Sequence, residues 1–292
     1  MMHHLDSGLH SDPSINPSDH GLRQTPKGSG HAGLRLYWVD AFTSRVFSGN
    51  PAGVVPLTSW LEDELLQSIA FENGIAETAF IVPLGPKRYD IRWFTPTAEV
   101  DLCGHATLAS AYVLQKFLGQ REPRISFQSR SGILHVDFLA DGRLQLDFPS
   151  RPPVSASPPD ALISGLGATP CYFGQAEANL AVFETAEQVL ALRPNFDVLA
   201  TLPQYGTIAT APASDCDFVS RFFAPRVGVP EDPATGSAHC VLTPYWAGRL
   251  GKSNLHARQI SARGGEFWCA LADDRVKISG HAVLYLEAML HV

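Results

Sequence analysis

LCGHATLASAYVLQKFLG, residues 102–119, reads as a helix that opens on a glycine followed by a histidine. Its weight comes from a second version of itself later in the chain. CGHATLASAYVLQKFLG, from Cys103, lies over TGSAHCVLTPYWAGRLG, from Thr235, at an offset of 132 residues. Gly104 meets Gly236, Ala106 meets Ala238, Leu118 meets Leu250 and Gly119 meets Gly251. At the same offset SRSG (from 129) lies over SARG (from 261), and DGRLQL (from 141) over DDRVKI (from 273). Upstream, WFTP at 93 resembles FFAP at 222, with three extra residues in the second copy's loop. Several matches at one offset indicate a duplication of two α+β units of like topology.

Around these helices the hydrophobic pattern alternates between strand and helix. LRLYWVDAF, AGVVPL, ETAFIVPL and YDIRWFTP read as strands, as do RISFQSRSGILHVDF and GRLQLDFP. SWLEDELLQSIAFENG reads as a helix with Ser59 as its cap and Gly74 as its stop. The Pro/Ser-rich SRPPVSASPPD, 150–160, is the linker candidate. Residues 1–33 are rich in His, Ser, Pro and Gly without periodicity and read as a disordered extension. GSGHAG at 28–33 matches a dinucleotide fingerprint in letters only. That motif follows a strand and opens a helix, whereas this one precedes a strand.

Composition narrows the classes. The 292 residues are 45% hydrophobic and 17% charged, as expected of a folded, soluble protein, and suffice for two ordinary domains or one large one. A net charge of −7 argues against a nucleic-acid partner. No apolar run is long enough for a membrane helix, and no secretory leader is visible. The five cysteines are widely spaced, with no CxxC pair, and fit reduced thiols in the cytoplasm. No zinc-type cluster stands out in the sequence.

Two such helices make a site if duplication brings their starts together. The first N–H groups of a helix lack internal partners and carry the positive end of the dipole, so one helix start is an anion site. Two facing starts would grip a carboxylate from both sides, acidify the neighbouring C–H and stabilise the charge left when its proton departs. A base and an acid remain to be found. Glu77, in GIAETAFIV, has apolar residues on both strand faces, which points to shielding from water and an elevated pKa; a rim glutamate is the bland alternative. Asp232, in PEDPATGSA, is either a carboxylate at the mouth of the second helix or a turn residue. His105 sits where the helix dipole disfavours imidazolium, so a neutral proton shuttle and a neutral surface histidine are both open. Ser237, matching His105, can bond a substrate oxygen or simply occupy the first turn. Asn50 and Asp40 are weaker pocket candidates, and a structural part in the SGNPAG turn is equally open for Asn50.

At these residues the chain resembles a known family. DAFTSRVFSGNPAGVV, NGIAETAF, RWFTPTAEVDLCGHATLASA and EDPATGSAHC are similar to the signature blocks of the PhzF, or phenazine biosynthesis-like, family, within the diaminopimelate-epimerase-like fold. The resemblance runs from Leu36 to the end and is greatest to the phenazine biosynthesis-like domain proteins of animals. It implies an α+β fold of two tandem, internally duplicated, barrel-like domains, each around a central helix, with the active site in the cleft between them. Residues 34–149 and 150–292 would be those domains, with a return of the last strand to the first domain left open. It implies that Glu77 moves a proton within the substrate, first as base and then as acid, assisted by His105 and Asp232. Backbone N–H groups near Gly104 and Gly236, with Ser237, would hold the substrate carboxylate. No metal or organic cofactor is implied, and homodimers are common in the family.

The expectation is therefore a cytoplasmic, cofactor-independent isomerase shifting a proton on a small carboxylic acid. One rival is a non-enzymatic binding or scaffold protein that kept the fold and the anion pocket. The other is a two-cysteine racemase of the diaminopimelate epimerase and proline racemase type, with a thiol before each helix glycine. Here Cys103 stands at the first such position and Thr235 at the second, which breaks that mechanism and leaves Cys103 as a buried spectator.

Overall fold

In the computed structural model, which describes residues 33–292, the chain enters through β1 (Leu34–Ala41), β2 (Asn50–Pro56) and α1 (Asp63–Asn73). It continues through β3 (Glu77–Gly85), β4 (Arg88–Phe94), the two-residue β5 (Glu99–Val100) and helix α2 (Gly104–Lys116). A meander of β6 (Arg124–Ser129), β7 (Gly132–Phe138) and β8 (Leu144–Pro149) closes the first half. After β9 (Val154–Ser155) and α3 (Asp160–Leu166) the order starts again. It runs through β10 (Tyr172–Gln175), β11 (Asn179–Val182), α4 (Ala186–Ala191), α5 (Phe196–Leu199) and β12 (Thr207–Pro212). Next come β13 (Phe218–Ala224), β14 (Val229–Asp232), α6 (Gly236–Leu250), β15 (Asn254–Gln259), β16 (Gly265–Ala272), β17 (Arg275–Gly280) and β18 (Ala282–Leu290).

Strand pairing repeats as faithfully as element order. β2 pairs parallel with β3, and β11 with β12. β4 pairs parallel with β6, and β13 with β15. Each meander is antiparallel, β6–β7–β8 and β15–β16–β17. β6 and β15 even alternate buried and exposed positions in the same order. The two barrel-like sheets join where β8 and β17 pair antiparallel, Leu144 opposite Gly280 through to Pro149 opposite Arg275. The strand that follows each meander crosses over: β9, after the first meander, pairs with β10, and β18, after the second, pairs with β1 along its whole length.

The central helices are built for enclosure. α2 buries nine of its thirteen residues, His105 to Ala111 and then Val113 and Leu114. A helix apolar all round belongs inside a core. Its small side chains let the surrounding strands come close. Its two buried hydroxyls bond back one turn, Thr107 to the Cys103 carbonyl at 2.6 Å and Ser110 to the Ala106 carbonyl at 2.7 Å. α6 carries Pro244 within the helix, which removes the N–H that would reach the Cys240 carbonyl. The Arg151 N–H, from the segment joining the halves, takes that carbonyl at 2.9 Å. The helix defect thus becomes an anchor for the connection.

Two sequence readings change. The helix expected from Ser59 begins at Asp63 with Glu62 as cap, because Trp60 donates to Asp90 Oδ2 at 3.0 Å and packs extended, with Leu61, against the α1 core. Its stop at Gly74 holds, with a left-handed φ of 62°. Residues 150–160 are not a bare linker, since β9 lies within them. The N-terminal extension and its GSGHAG decoy lie, apart from Gly33, outside the described residues. Among the described residues no helix is long and apolar enough to cross a membrane.

Candidate active site

The segment before each central helix is clamped in the same way. Arg92 on β4 grips Glu99 on β5 with two hydrogen bonds of 2.7 Å, and Arg221 on β13 grips Glu231 on β14 at 2.8 and 2.9 Å. Each guanidinium also covers the ring two residues on, Phe94 at 5.1 Å and Phe223 at 4.9 Å. Planar two-point pairing fixes direction as well as distance. At α6 a further lock follows. Gln259 accepts from the Thr235 N–H at 2.9 Å and donates to the Asp232 carbonyl at 2.6 Å. The duplicated clamps, Gln259 and Tyr205 were not singled out from the sequence; the matching R-x-F spacing at 92–94 and 221–223 was the available signal.

So held, the two helix starts meet. A Cβ placed on Gly236 would lie 4.0 Å from the Gly104 Cα, and neither glycine would clash with its surroundings if it bore one. Bare backbone therefore faces bare backbone across the gap. Cys103 and Thr235 are the two N-cap residues, and neither caps its helix with its side chain. The opening residues of both helices, Gly104 and His105 with Gly236 and Ser237, line the same space, and the first N–H groups of a helix have no internal partner. That space is a cavity of about 400 Å³ bounded by Glu77, Cys103, His105, Tyr205, Asp232 and Ser237, with apolar walls that include Phe148 and Phe222. A broader groove of about 1190 Å³ beside Arg45 and Arg258 contains none of the predicted site residues. The smaller cavity is where the chemistry gathers.

Glu77 begins β3, and its side chain is 18% exposed. Its Oε2 lies 3.0 Å from His105 Nε2. That oxygen is shut off from solvent and accepts no well-formed hydrogen bond, so the ring N–H does not point along the contact. On the other side of the ring, Cys103 Sγ lies 3.5 Å from Nδ1. Burial works against charge on His105. Cys103 and the Glu77 carboxylate together outweigh it and hold the pKa well above the usual histidine range. Burial, then the Glu77 charge, push the Cys103 thiol up. The helix dipole, which disfavours imidazolium, is thus opposed by a carboxylate at contact distance. Glu77, Cys103 and His105 each place a donor atom within 4.8 Å of the others, the spacing of a candidate metal-ligand group among the described residues.

Asp232 ends β14. It accepts from Asn50 Nδ2 at 2.8 Å and from the Thr235 hydroxyl. Burial raises its pKa, while His105, the Thr235 hydroxyl and the Asn50 amide work against that rise. Asn50 also donates to the Ala234 carbonyl at 3.0 Å, which places it behind Asp232 as a brace. Ser237 Oγ lies 3.2 Å from the Tyr205 hydroxyl, and burial pushes that phenol up to about 12. Both hydroxyls remain protonated donors at neutral pH. Asp40 is the candidate the structure moves away. It is buried on β1, accepts from the Phe47 N–H at 2.8 Å and from Arg263 at 2.7 Å, and does not line the cavity. A buried carboxylate whose oxygens already hold a backbone amide and a guanidinium acts as a tie between the halves.

Comparison with known proteins agrees with this geometry. Residues 39–288 match the family model for PhzC-PhzF, phenazine biosynthesis-like protein. An "uncharacterized isomerase" of Pseudomonas aeruginosa is 53% identical over 260 residues, covering 89% of this chain and 99% of that protein. The human phenazine biosynthesis-like domain-containing protein is 38% identical over 285 residues, covering 88% and 99%. A crystal structure of a PhzF-family protein from Enterococcus faecalis superposes with a TM-score of 0.87 at 40% identity, covering 89% of this chain and all of that one. A hydroxyproline epimerase from Agrobacterium vitis, at 11% identity and a TM-score of 0.58, shares the fold. With duplicated barrels, facing helix starts and relatives of this kind, the chain belongs to the phenazine biosynthesis-like (PhzC-PhzF) family and is an isomerase of it.

Proposed function

We propose that this isomerase moves a proton within a small carboxylic acid, with Glu77 as the base that takes the proton and the acid that returns it. The observation that carries the reading is the meeting of Glu77 and His105, 3.0 Å apart, inside a cavity floored by two helix starts. The substrate carboxylate would lie between Gly104 and Gly236, with the Ser237 and Tyr205 hydroxyls donating to it. Two helix starts and two hydroxyls supply positive potential without a mobile counter-ion, and they are fixed before the substrate arrives. A C–H beside that carboxylate faces Glu77. As the proton passes to Glu77, charge builds on the substrate, and the adjacent imidazolium of His105 stabilises it. Asp232, braced by Asn50 and Thr235, stands across the same cavity and assists the return of the proton at a second carbon. The apolar walls exclude water, which strengthens these electrostatic effects and protects a carbanion from quenching. The chemistry asks for no cofactor.

The test is solvent exchange. The protein is incubated in D₂O with a panel of small carboxylic acids, and loss of C–H signal is followed by NMR beside Glu77→Gln. The wild type is expected to exchange at least one acid, and Glu77→Gln to bind it with exchange reduced at least about 100-fold. Acids that bind without exchanging in either protein would replace this reading with that of a binding protein. Exchange unchanged in Glu77→Gln would remove Glu77 as the base.

A further inference from the structure

We propose that Glu77, Cys103 and His105 form a binding site for a thiophilic divalent cation such as Zn²⁺, and that the ion switches the isomerase off by occupying its proton-transfer groups. Only the second clause rests on the proton-transfer reading; the first stands on donor geometry.

The donor set is that of a three-ligand zinc site with an open position: one thiolate sulfur, one imidazole nitrogen and one carboxylate oxygen. Around a tetrahedral zinc the standard bond lengths separate sulfur from nitrogen by roughly 3.5 Å and nitrogen from oxygen by roughly 3.3 Å. Here Glu77 Oε2 stands 3.0 Å from His105 Nε2, while Cys103 Sγ stands 3.9 Å from that nitrogen and 3.5 Å from Nδ1, so Cys103 has to swing from the Nδ1 edge of the ring toward Nε2 to complete the site. The three donor atoms all lie within 4.8 Å of one another, and rotation of Cys103 about its Cα–Cβ bond is the movement that closes the set around an ion. His105 Nε2 and Glu77 Oε2 already converge without an aligned hydrogen bond, and Oε2 has no other partner. An ion placed between them would satisfy both.

The surroundings fit a bound ion. All three residues line the 400 Å³ cavity, which leaves the fourth position of an ion to water or a carboxylate. With a neutral imidazole, a thiolate and a carboxylate contribute two negative charges, which balance one divalent cation. Binding releases the thiol proton and the proton held on the His105 ring to solvent, as ligation by a thiolate and a neutral imidazole requires. Cys103, which the isomerase mechanism does not use, thereby acquires a part, and the other four cysteines stand outside the cluster.

Co²⁺ is the probe, because its bond to a thiolate gives a near-ultraviolet charge-transfer band that histidine or carboxylate ligation alone does not. The full chain is titrated with Co²⁺, then with Zn²⁺. One Co²⁺ per chain with a charge-transfer band is expected, displaced by Zn²⁺. Cys103→Ala and Cys103→Ser are both expected to lose the band and to bind Zn²⁺ at least about 100-fold more weakly. A Cys171→Ala/Cys216→Ala double variant is expected to keep it. The five N-terminal histidines can take up metal but produce no such band. Absence of the band in the wild type, or its survival in both Cys103 variants, would overturn the site. With an exchanging acid in hand, Zn²⁺ at the strength of the Co²⁺ titration is expected to stop deuterium incorporation and a chelator to restore it. Exchange that continues with the site filled would overturn the off-switch while leaving the metal site standing. If no acid exchanges at all, the spectroscopic result still decides the site.

Discussion

His239 lies one turn into α6 and is fully buried. Nδ1 lies 2.9 Å from the Thr235 carbonyl, and the ring stacks on Phe267 at 3.8 Å between centroids. A carbonyl can only accept, so Nδ1 carries the hydrogen. Nε2 is sealed without a partner. Burial pushes the pKa down to about 4, against the opposing pull of the Thr235 carbonyl. In the unfolded chain the same ring titrates near ~6.5. Between these values the unfolded state holds a proton that the folded state does not, so stability is full above the upper value and falls as pH falls. The loss runs at about 1.4 kcal/mol per pH unit and reaches about 3 kcal/mol by pH ~4. The perturbation is His239→Asn, whose amide can still donate to the Thr235 carbonyl but does not titrate. Urea unfolding of both proteins, stepped from about pH 7.5 to about pH 4, measures the difference. The wild type is expected to be the more stable at the top of the range, because asparagine gives up the stack on Phe267. That lead should shrink by about 3 kcal/mol across the window, with other titrating groups cancelling in the subtraction. Two parallel profiles would refute the idea that this ring is held neutral.

Other outcomes follow from particular contacts. Gly49 has a φ of 66°, and a Cβ there would sit 2.1 Å from the Ala41 carbonyl oxygen; Gly49→Ala should cost at least about 3 kcal/mol in chemical denaturation. Gly236→Ala should melt within a few degrees of the wild type, because its Cβ finds only ordinary contacts at 3.7 Å or more. The same variant should lose solvent exchange, because the methyl group fills the space between the two helix starts. Arg221→Ala should cost roughly 3 kcal/mol by urea unfolding, since the guanidinium also holds the Val189 and Leu192 carbonyls at 3.2 and 3.0 Å and leaves Glu231 mostly buried without it. Arg35→Ala breaks an exposed pair with Glu287 and should change stability by no more than about 0.5 kcal/mol in the same assay.

The duplication was legible because each central helix must fit inside a closed sheet. That demand limits residue types along the whole helix and leaves a correlated trace in sequence. The glycines at the two starts were legible only through their repeat at the same offset, since packing does not require them: a Cβ on either would meet nothing closer than 3.7 Å. The exchange of final strands left no such trace: β9 is two exposed residues, and nothing in a short extended segment names its partner. The contact of Glu77 with His105 was not legible because the two lie 28 residues apart, while the dipole that argues for a neutral ring is local. Asp40 was misread for a related reason. Its partner Arg263 lies more than two hundred residues away, and only the closed fold shows that the carboxylate is already engaged. The Ser59 cap failed because a tertiary contact, Trp60 to Asp90, outweighed a local propensity.

The exchanged strands also bear on how the chain is made. A ribosome delivers β1 first and β18 after every other strand. The first barrel therefore cannot be completed while only the first half has emerged. Its apolar helix α2 must wait, one flank open, through the synthesis of the entire second half. The second barrel waits for nothing downstream of β17, because its borrowed strand β9 and its partner β8 are already present. Completion thus runs against the order of synthesis, with the later-made barrel able to close first and the earlier-made one last. Such delayed, long-range closure is slow, and it exposes the nascent chain to aggregation for the duration of translation.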